Sequence, residues 1–283
     1  MRRGSASWKT STRSSRPSSN ATLGKPARLD AELVRRGLAV SRAEARRAIE
    51  GGKVTVRGVP ATRPAAMVLP DAPIALAGAA ARFVSRGGEK LDAALERLDV
   101  EVAARCWLDA GASTGGFTDC LLQRGARAVV AYDVGYGQLH WRLRNDPRVT
   151  VIERANVRHV SAEDLPWRPD GVVADLSFIS LTLVLEPIVR AAAPDADLIL
   201  LVKPQFEAGR DAVGRSGVVR DPEVWRSAME RVAAAASGLG RGLVGAVASP
   251  LPGPAGNREF FLHLRAGGGA AADAIERAVE EAS

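Results

Sequence analysis

The chain has 283 residues, long enough for two domains, and its 46% hydrophobic and 25% charged content is that of a globular protein. No run of about 18 apolar residues occurs, which excludes an ordinary membrane-spanning helix. The two cysteines, Cys106 and Cys120, form neither a metal-ligand spacing nor a disulfide framework, which fits a reducing cytoplasm and a cytoplasmic location.

The net charge of +7 is unevenly placed. Residues 1–26 hold six basic and no acidic side chains, and residues 27–80 hold nine basic against five acidic. The first 80 residues therefore carry +10 and the remainder −3. A basic arm and a basic small domain on a slightly acidic body suggest a module that grips a polyanion. The Arg/Ser-rich opening, "MRRGSASWKTSTRSSRPSSN", lacks the apolar core of a secretory signal and reads as a disordered basic tail over 1–26, with an organelle transit peptide as the alternative.

The next stretch is compact. Leu29, Leu33 and Leu38 have roughly helical spacing, and Ser41 with Glu44 predicts a capping box ahead of the helix "RAEARRAIEGG". That helix aligns Arg42, Arg46 and Arg47 and stops at Gly51-Gly52; "KVTVRGVPA" then predicts a strand and a turn. The run "RLDAELVRRGLAVSRAEARRAIEGGKVTVRG" resembles the RNA-binding domain named after ribosomal protein S4. The resemblance sets a small α+β domain at 27–80 and implies that Arg28, Arg42, Arg46, Arg47 and Lys53 lie against structured RNA, reading shape and phosphate. The small-residue run at 77–80 and residues 81–84 read as a linker.

From residue 85 the pattern changes. A helix over "GGEKLDAALERL" precedes strands over "CWLDAGAS", "AVVAYDVG", "TVIERAN", "GVVADLSF" and "LILLVK", with helices over "FTDCLLQRG" and "LTLVLEPIVRAA". This alternation predicts an α/β fold, a Rossmann-like doubly wound and mostly parallel sheet, over 85–266. "GLVGAVAS" and "EFFLHLR" read as a closing pair of strands. Residues 267–283 read as a tail with an amphipathic helix.

"LDAGASTGGFTDCL" sits where strand passes to helix, and Gly111, Gly115 and Gly116 leave the backbone free to approach a ligand. It lacks the Lys-Ser/Thr of a phosphate-binding loop, and its spacing is not that of a dinucleotide fingerprint. Asp133, at the end of the following strand, is an acceptor for a ribose diol. A nucleoside-like cofactor without pyrophosphate, such as S-adenosylmethionine, fits this pair. Three further polar strand ends, Asp175, Lys203 and Glu259, converge at the same edge if the last strand is antiparallel. Lysine is scarce here, five against 34 arginines, and unlike arginine it can lose its proton when desolvated. Lys203 at a strand end therefore suggests work that arginine cannot do.

In order and spacing, "SRGGEKL", "DAGASTGGFTDCLL", "YDVGYGQL", "ANVR", "ADLSFISL", "LVKPQFE" and "GNREFF" resemble the TlyA (haemolysin A-like) ribosomal RNA methyltransferases, a branch of the FtsJ-like 2′-O-methyltransferases. With the S4-like part, the resemblance spans residues 27–265. It implies methyl transfer from S-adenosylmethionine to the 2′-hydroxyl of a ribosomal RNA nucleotide, typically a cytidine, so that ribosomal RNA or a ribosomal subunit is the partner. The family's Lys-Asp-Lys-Glu tetrad falls on Lys90, Asp175, Lys203 and Glu259. The cofactor contacts fall on Asp109, Gly111, Ser113, Thr114, Gly115, Gly116, Asp133, Asn156, Val157 and Asp175. Lys203 is the expected general base, oriented by Asp175, with Lys90 and Glu259 positioning the nucleotide. No metal is called for, since the leaving group departs as a neutral thioether. At the linker Phe83 stands where the family commonly has tryptophan. Rival readings are a non-catalytic ribosome-binding protein and a pore-forming haemolysin, the latter weakened by the lack of lipid-facing strand alternation.

Overall fold

The computed structural model describes residues 26–39, 41–70, 72–76, 82–209, 217–253, 255–269 and 271–283. The basic tail, apart from Pro26, and the run at 77–80 lie outside the described residues. The chain divides into two compact units, residues 1–80 and 81–283.

The first unit is built from very short elements. β1 (Ala27–Arg28) leads into α1 (Leu29–Arg35), which pairs with α2 (Arg42–Glu50). The Ser41 hydroxyl accepts the Glu44 N–H at 3.2 Å, so the expected N-cap is present. β2 (Val54–Val56) and β3 (Val59–Pro60) form a hairpin whose two turn residues, Arg57 and Gly58, have φ of 52° and 78°. Both angles are left-handed, as a two-residue hairpin turn that matches strand twist requires. β4 (Met67–Val68) pairs with β1, and β5 (Ile74–Leu76) with β2. Leu29, Leu33, Ala45, Ile49 and Val54 are fully buried between the helices and strands. Their i, i+4 spacing explains the shared face.

The second unit is a seven-stranded sheet between helices. Its elements are α3 (Arg86–Arg97), β6 (Cys106–Ala110), α4 (Gly116–Gln123), β7 (Ala128–Tyr132), α5 (Trp141–Arg144), β8 (Val149–Ile152), β9 (Gly171–Ala174), α6 (Leu185–Ala191), β10 (Asp197–Val202), α7 (Pro204–Glu207), α8 (Pro222–Ser237), β11 (Arg241–Ala248), β12 (Phe260–Ala266) and α9 (Ala272–Ala282). The strand order is β11-β12-β10-β9-β6-β7-β8, with β12 antiparallel to both neighbours and the ladders from β10 to β8 parallel. All residues of β6, β9 and β10 are buried, which is why, Asp109 and Asp197 apart, they appear in the sequence as apolar runs.

Alternation along the strands feeds two cores. Trp107, Val173, Ile199, Leu201 and Phe261 pack under α3 and α4; Leu108, Val172, Leu198, Leu200 and Phe260 pack under α6, α8 and α9. Trp107 lies opposite Gly171 in the ladder, and a Cβ on Gly171 would sit 2.4 Å from the indole. Strand order reverses between β6 and β9, so the ligand-binding crevice of an open α/β sheet is expected at their carboxyl ends.

The larger unit holds more than the apolar pattern predicts. α8 was not anticipated, although Asp221 accepts the Glu223 N–H at 2.9 Å and Pro222 opens the helix. The expected tail at 267–283 is corrected: Ala274, Ile275, Ala278 and Val279 of α9 are buried in the core, and Glu276 pairs with Arg226 of α8 at 2.8 Å. The expected linker is likewise part of this body at its far end. Phe83 is 3% exposed and the Val84 N–H donates to Asp119 Oδ2 at 2.8 Å. No described helix is long and apolar enough to cross a membrane.

Candidate active site

Strand register assembles the site. β9 ends at Ala174, level with Ala110 of β6 and Leu200 of β10, and Asp175 follows with its N–H still donating to the Ala110 carbonyl at 3.1 Å. β10 runs on to Val202, so Lys203 leaves the sheet above Asp175, and Pro204 starts α7 at once. β12 runs the other way with Phe260 opposite Val202; Glu259, one residue earlier, therefore stands at the level of Lys203. α3 brings Lys90 to the same edge.

The four side chains associate as two pairs. Lys90 Nζ donates to Glu259 Oε2 at 2.5 Å, and both residues are buried, at 7% and 2% exposure. Lys203 Nζ lies 2.5 Å from Asp175 Oδ1 and donates to Ser177 Oγ at 3.1 Å. Lys203 is buried while Asp175 is half-buried, so the second pair reaches solvent through its carboxylate. Gly253 backs Glu259: a Cβ there would lie 2.4 Å from Oε1. The arrangement holds both amines buried, each against a carboxylate, and of the four side chains Asp175 is the one that reaches solvent.

Beside this edge lies the turn after β6. Its glycines are also required by the protein's own packing. A Cβ on Gly111 would sit 2.5 Å from the Asp175 carbonyl, one on Gly115 2.3 Å from Leu143, and one on Gly116 2.2 Å from Ser85 Oγ. Gly111 and Gly115 also have left-handed φ of 87° and 96°. Ser113 and Thr114 are exposed between them. Asp133 is half-buried and already holds the turn, accepting the Ser113 N–H at 2.8 Å and the Gly135 N–H at 2.6 Å.

Asp109, under the turn, is fully buried; Oδ2 accepts the Thr118 hydroxyl at 2.6 Å, whereas Oδ1 has no partner. Burial, with Asp175 and Asp133 nearby, pushes its carboxyl up to about 7. Asn156 is exposed and caps a short turn by accepting the Arg158 N–H at 3.0 Å. Val157 buries its side chain in the core, which leaves its backbone as the part that can meet a ligand.

Two aromatic rings next to Lys203 were not anticipated. Phe178 is 91% exposed, its φ is +64°, and its ring lies 5.2 Å from that of Phe206. A left-handed backbone at a bulky residue is strained by about 1–3 kcal/mol, a cost that clusters at functional loops. "ADLSFISL" and "LVKPQFE" contain both rings, but only the fold reveals that they meet.

In the smaller unit the five expected RNA-binding residues divide. Arg28 and Arg42 both pair with the buried Asp30, at 3.0 and 2.9 Å. Arg46, Arg47 and Lys53 are exposed and form no ion pair among the described residues. A cavity of about 670 Å³ opens at the opposite end of the sheet. There Arg105, Arg127 and Arg265 face Asp170, Asp195 and Asp197 and largely neutralise one another.

Residues 83–266 match the FtsJ-like methyltransferase family, and residues 27–74 match the S4 domain. The 16S/23S rRNA (cytidine-2′-O)-methyltransferase TlyA of Mycobacterium tuberculosis is 52% identical over 266 residues, 92% of this chain and 99% of that protein. Hemolysin A of Brachyspira hyodysenteriae is 37% identical over 84% of this chain and 99% of its own. A solved structure from Streptococcus thermophilus superposes with a TM-score of 0.78 at 36% identity, covering 91% of this chain and 96% of that one. With a family match over most of its length and relatives that align almost end to end, the chain belongs to the FtsJ-like methyltransferases, in the TlyA branch that carries an S4 domain ahead of the methyltransferase domain.

Proposed function

We propose that the protein transfers a methyl group from S-adenosylmethionine to the ribose 2′-hydroxyl of a ribosomal RNA nucleotide, a cytidine as in the name of its Mycobacterium tuberculosis relative. The observation that carries this reading is the Lys203–Asp175 pair, whose carboxylate reaches solvent, beside the fully enclosed Lys90–Glu259 pair.

The residues around the β6 turn suit the cofactor. The unpartnered Oδ1 of Asp109 is a buried acceptor for an ammonium or hydroxyl donor. Asp133, fixed by two backbone N–H groups, keeps lone pairs for a ribose diol, and Val134 beside it is an exposed apolar surface, 69% accessible, for a purine. When bound, S-adenosylmethionine supplies an electrophilic methyl on sulfonium.

The remaining work falls to the protein. A 2′-hydroxyl is a weak nucleophile until its proton is taken, and Lys203 Nζ is the base, oriented by Asp175 and Ser177. Lys90 and Glu259, locked against each other, fix the position of the ribose. A nucleotide presenting its 2′-hydroxyl here leaves its helical stack, and Phe178 offers the ring on which its base stacks. The exposed Arg46, Arg47 and Lys53 hold RNA phosphates.

Lys203→Arg tests the chemistry, because it keeps the charge and removes the capacity to deprotonate. Tritium transfer from labelled cofactor to ribosomal subunits is expected to fall by about 100-fold or more, with cofactor affinity unchanged. Near-normal transfer would remove Lys203 from the role of base.

A further inference from the structure

Two chain segments leave the sheet side by side at the active-site edge and are joined along their whole length. The first follows β9 and contains Asp175, Ser177, Phe178, Ser180 and Leu181; the second follows β10 and contains Lys203, Phe206 and Glu207. Lys203 meets Asp175 and Ser177, Phe206 meets Phe178, and Glu207 meets Ser180 and Leu181. The last link is the most specific. Glu207 Oε1 accepts the Leu181 N–H at 2.8 Å and Oε2 accepts the Ser180 hydroxyl at 2.5 Å.

Glu207 is 5% exposed and forms no ion pair among the described residues. Burial raises its pKa above the ordinary carboxylate value, although both hydrogen bonds pull it back. The Arg231 guanidinium nearby also pulls it back, but a buried carboxylate without a direct ion pair is still costly and is kept where its acceptors are needed. Here the need is visible. Ser180 gives its one hydroxyl proton to Glu207 and turns its lone pairs to the Thr182 N–H at 3.2 Å and the Thr182 hydroxyl at 2.7 Å, capping the turn over 181–183. Arg231 fixes the other side of Glu207 by donating to its backbone carbonyl at 2.5 Å.

Between these anchors lies the strained Phe178. Asp175 is tied to β6 through its N–H, and Ser180–Leu181 is tied to Glu207, so the left-handed residue is held from both ends. Without the Glu207 tie the loop can relax its φ only by moving the Phe178 ring and Ser177 away from Lys203.

We propose that Glu207 is a positioning residue, which fixes the Ser177–Phe178 loop so that the stacking ring for the acceptor base and the amine of Lys203 stay in register. The inference rests on the reading that Lys203 and Phe178 serve the acceptor nucleotide, and it assigns a task to a side chain that touches neither substrate nor cofactor.

Hydrogen–deuterium exchange and methylation kinetics together test it. In Glu207→Ala, exchange at residues 176–183 is expected to quicken while the strands keep their protection. This readout decides the tie even if the wild-type protein were to leave ribosomal RNA unmethylated, an outcome that would overturn the proposed function alone. On ribosomal RNA, Glu207→Ala is expected to raise KM about tenfold or more, with affinity for S-adenosylhomocysteine unchanged. In a Phe178→Ala background the same substitution should have almost no further effect on KM, because the ring it positions is gone. Glu207→Gln should recover most of the loss, since its amide oxygen still accepts the Leu181 N–H and Ser180 can turn to accept the amide. Ser180→Ala removes the same link from the other side and substitutes if Glu207→Ala does not fold. Unchanged exchange, independent effects in the double variant, or no rescue by glutamine would each overturn the proposal.

Discussion

Two sets of buried carboxylates, one in each unit, are used in opposite ways. In the small unit Asp30 and Glu32 are buried, while their partners Arg28, Arg42, Arg35 and Arg36 keep 21–61% of their side chains exposed. The acid is the foundation and the guanidinium is displayed. In the body Glu259 is buried and its partner Lys90 is buried with it, at 9% side-chain exposure. A half-exposed arginine keeps much of its hydration and can turn toward an RNA phosphate without leaving its anchor. A lysine closed in with its carboxylate has no such freedom and sits in one place. One design presents charge to a polyanion; the other holds an amine to a fixed position.

Breaking the closed pair should have the largest effect. Glu259→Ala leaves the Lys90 ammonium buried without a partner, and denaturant unfolding should show a loss of about 3–5 kcal/mol together with loss of methylation. Replacing both members by apolar residues, Lys90→Met with Glu259→Leu, should restore most of the stability and none of the activity. Full instability of the double variant would mean that the pair is chiefly structural.

Asp109 comes next, and its effect has a definite sign. Its folded carboxyl is pushed up to about 7, so between about pH 4 and 7 the folded protein keeps a proton that the unfolded chain releases. Stability contributed by this site is therefore lost as pH rises through that window, by about 4 kcal/mol in all at about 1.4 kcal/mol per pH unit. Asp109→Asn keeps an acceptor for Thr118 and carries no charge. Urea unfolding at pH 8 should show it more stable than the wild type, with the advantage gone at pH 4, while cofactor affinity falls. An equal advantage at both pH values would refute the assignment.

Asp30→Ala should be milder, about 1–3 kcal/mol, because the released guanidinium groups can reach water. RNA affinity should fall with it as Arg28 and Arg42 lose their anchor, and calorimetry should show cofactor affinity unchanged.

The same contrast decides what the sequence revealed. β6, β9 and β10 were legible because central parallel strands are buried on both faces and read as apolar runs. Lys90, Asp175, Lys203 and Glu259 could be placed at one edge, since strand ends and one antiparallel strand suffice for that. Which lysine meets which carboxylate could not, because it depends on register and on the approach of α3. The packing duty of the turn glycines was not legible: a glycine needed by Leu143 or by the Asp175 carbonyl looks the same in sequence as one needed by a ligand alone. α8 leaves a weak apolar pattern because its buried face includes the small Ala228 and Ala236, although Asp221-Pro222 is a readable start signal. The anchoring of Arg28 and Arg42 on Asp30 was not legible, since nothing local announces that Asp30 folds inward to take both.

The smallest effect on stability, and the sharpest test of the displayed design, concerns Arg46 and Arg47. Neither has an ionic partner among the described residues, so replacing both by alanine should leave the unfolding midpoint unchanged. If both lie on phosphates, ribosomal RNA binding should weaken at every salt concentration tested. The slope of log affinity against log salt should shrink by about 1–2, as each lost contact leaves about one counterion fewer to release. Arg28→Ala should differ from this in kind. It should lower the unfolding midpoint as well as the affinity, because Asp30 loses a partner that the fold itself uses. A change of slope with Arg46 and Arg47 but of midpoint with Arg28 separates cations that grip RNA from cations that also hold the domain. An unchanged slope in the double variant would place the phosphate grip on other residues and leave α2 with a merely solvated face.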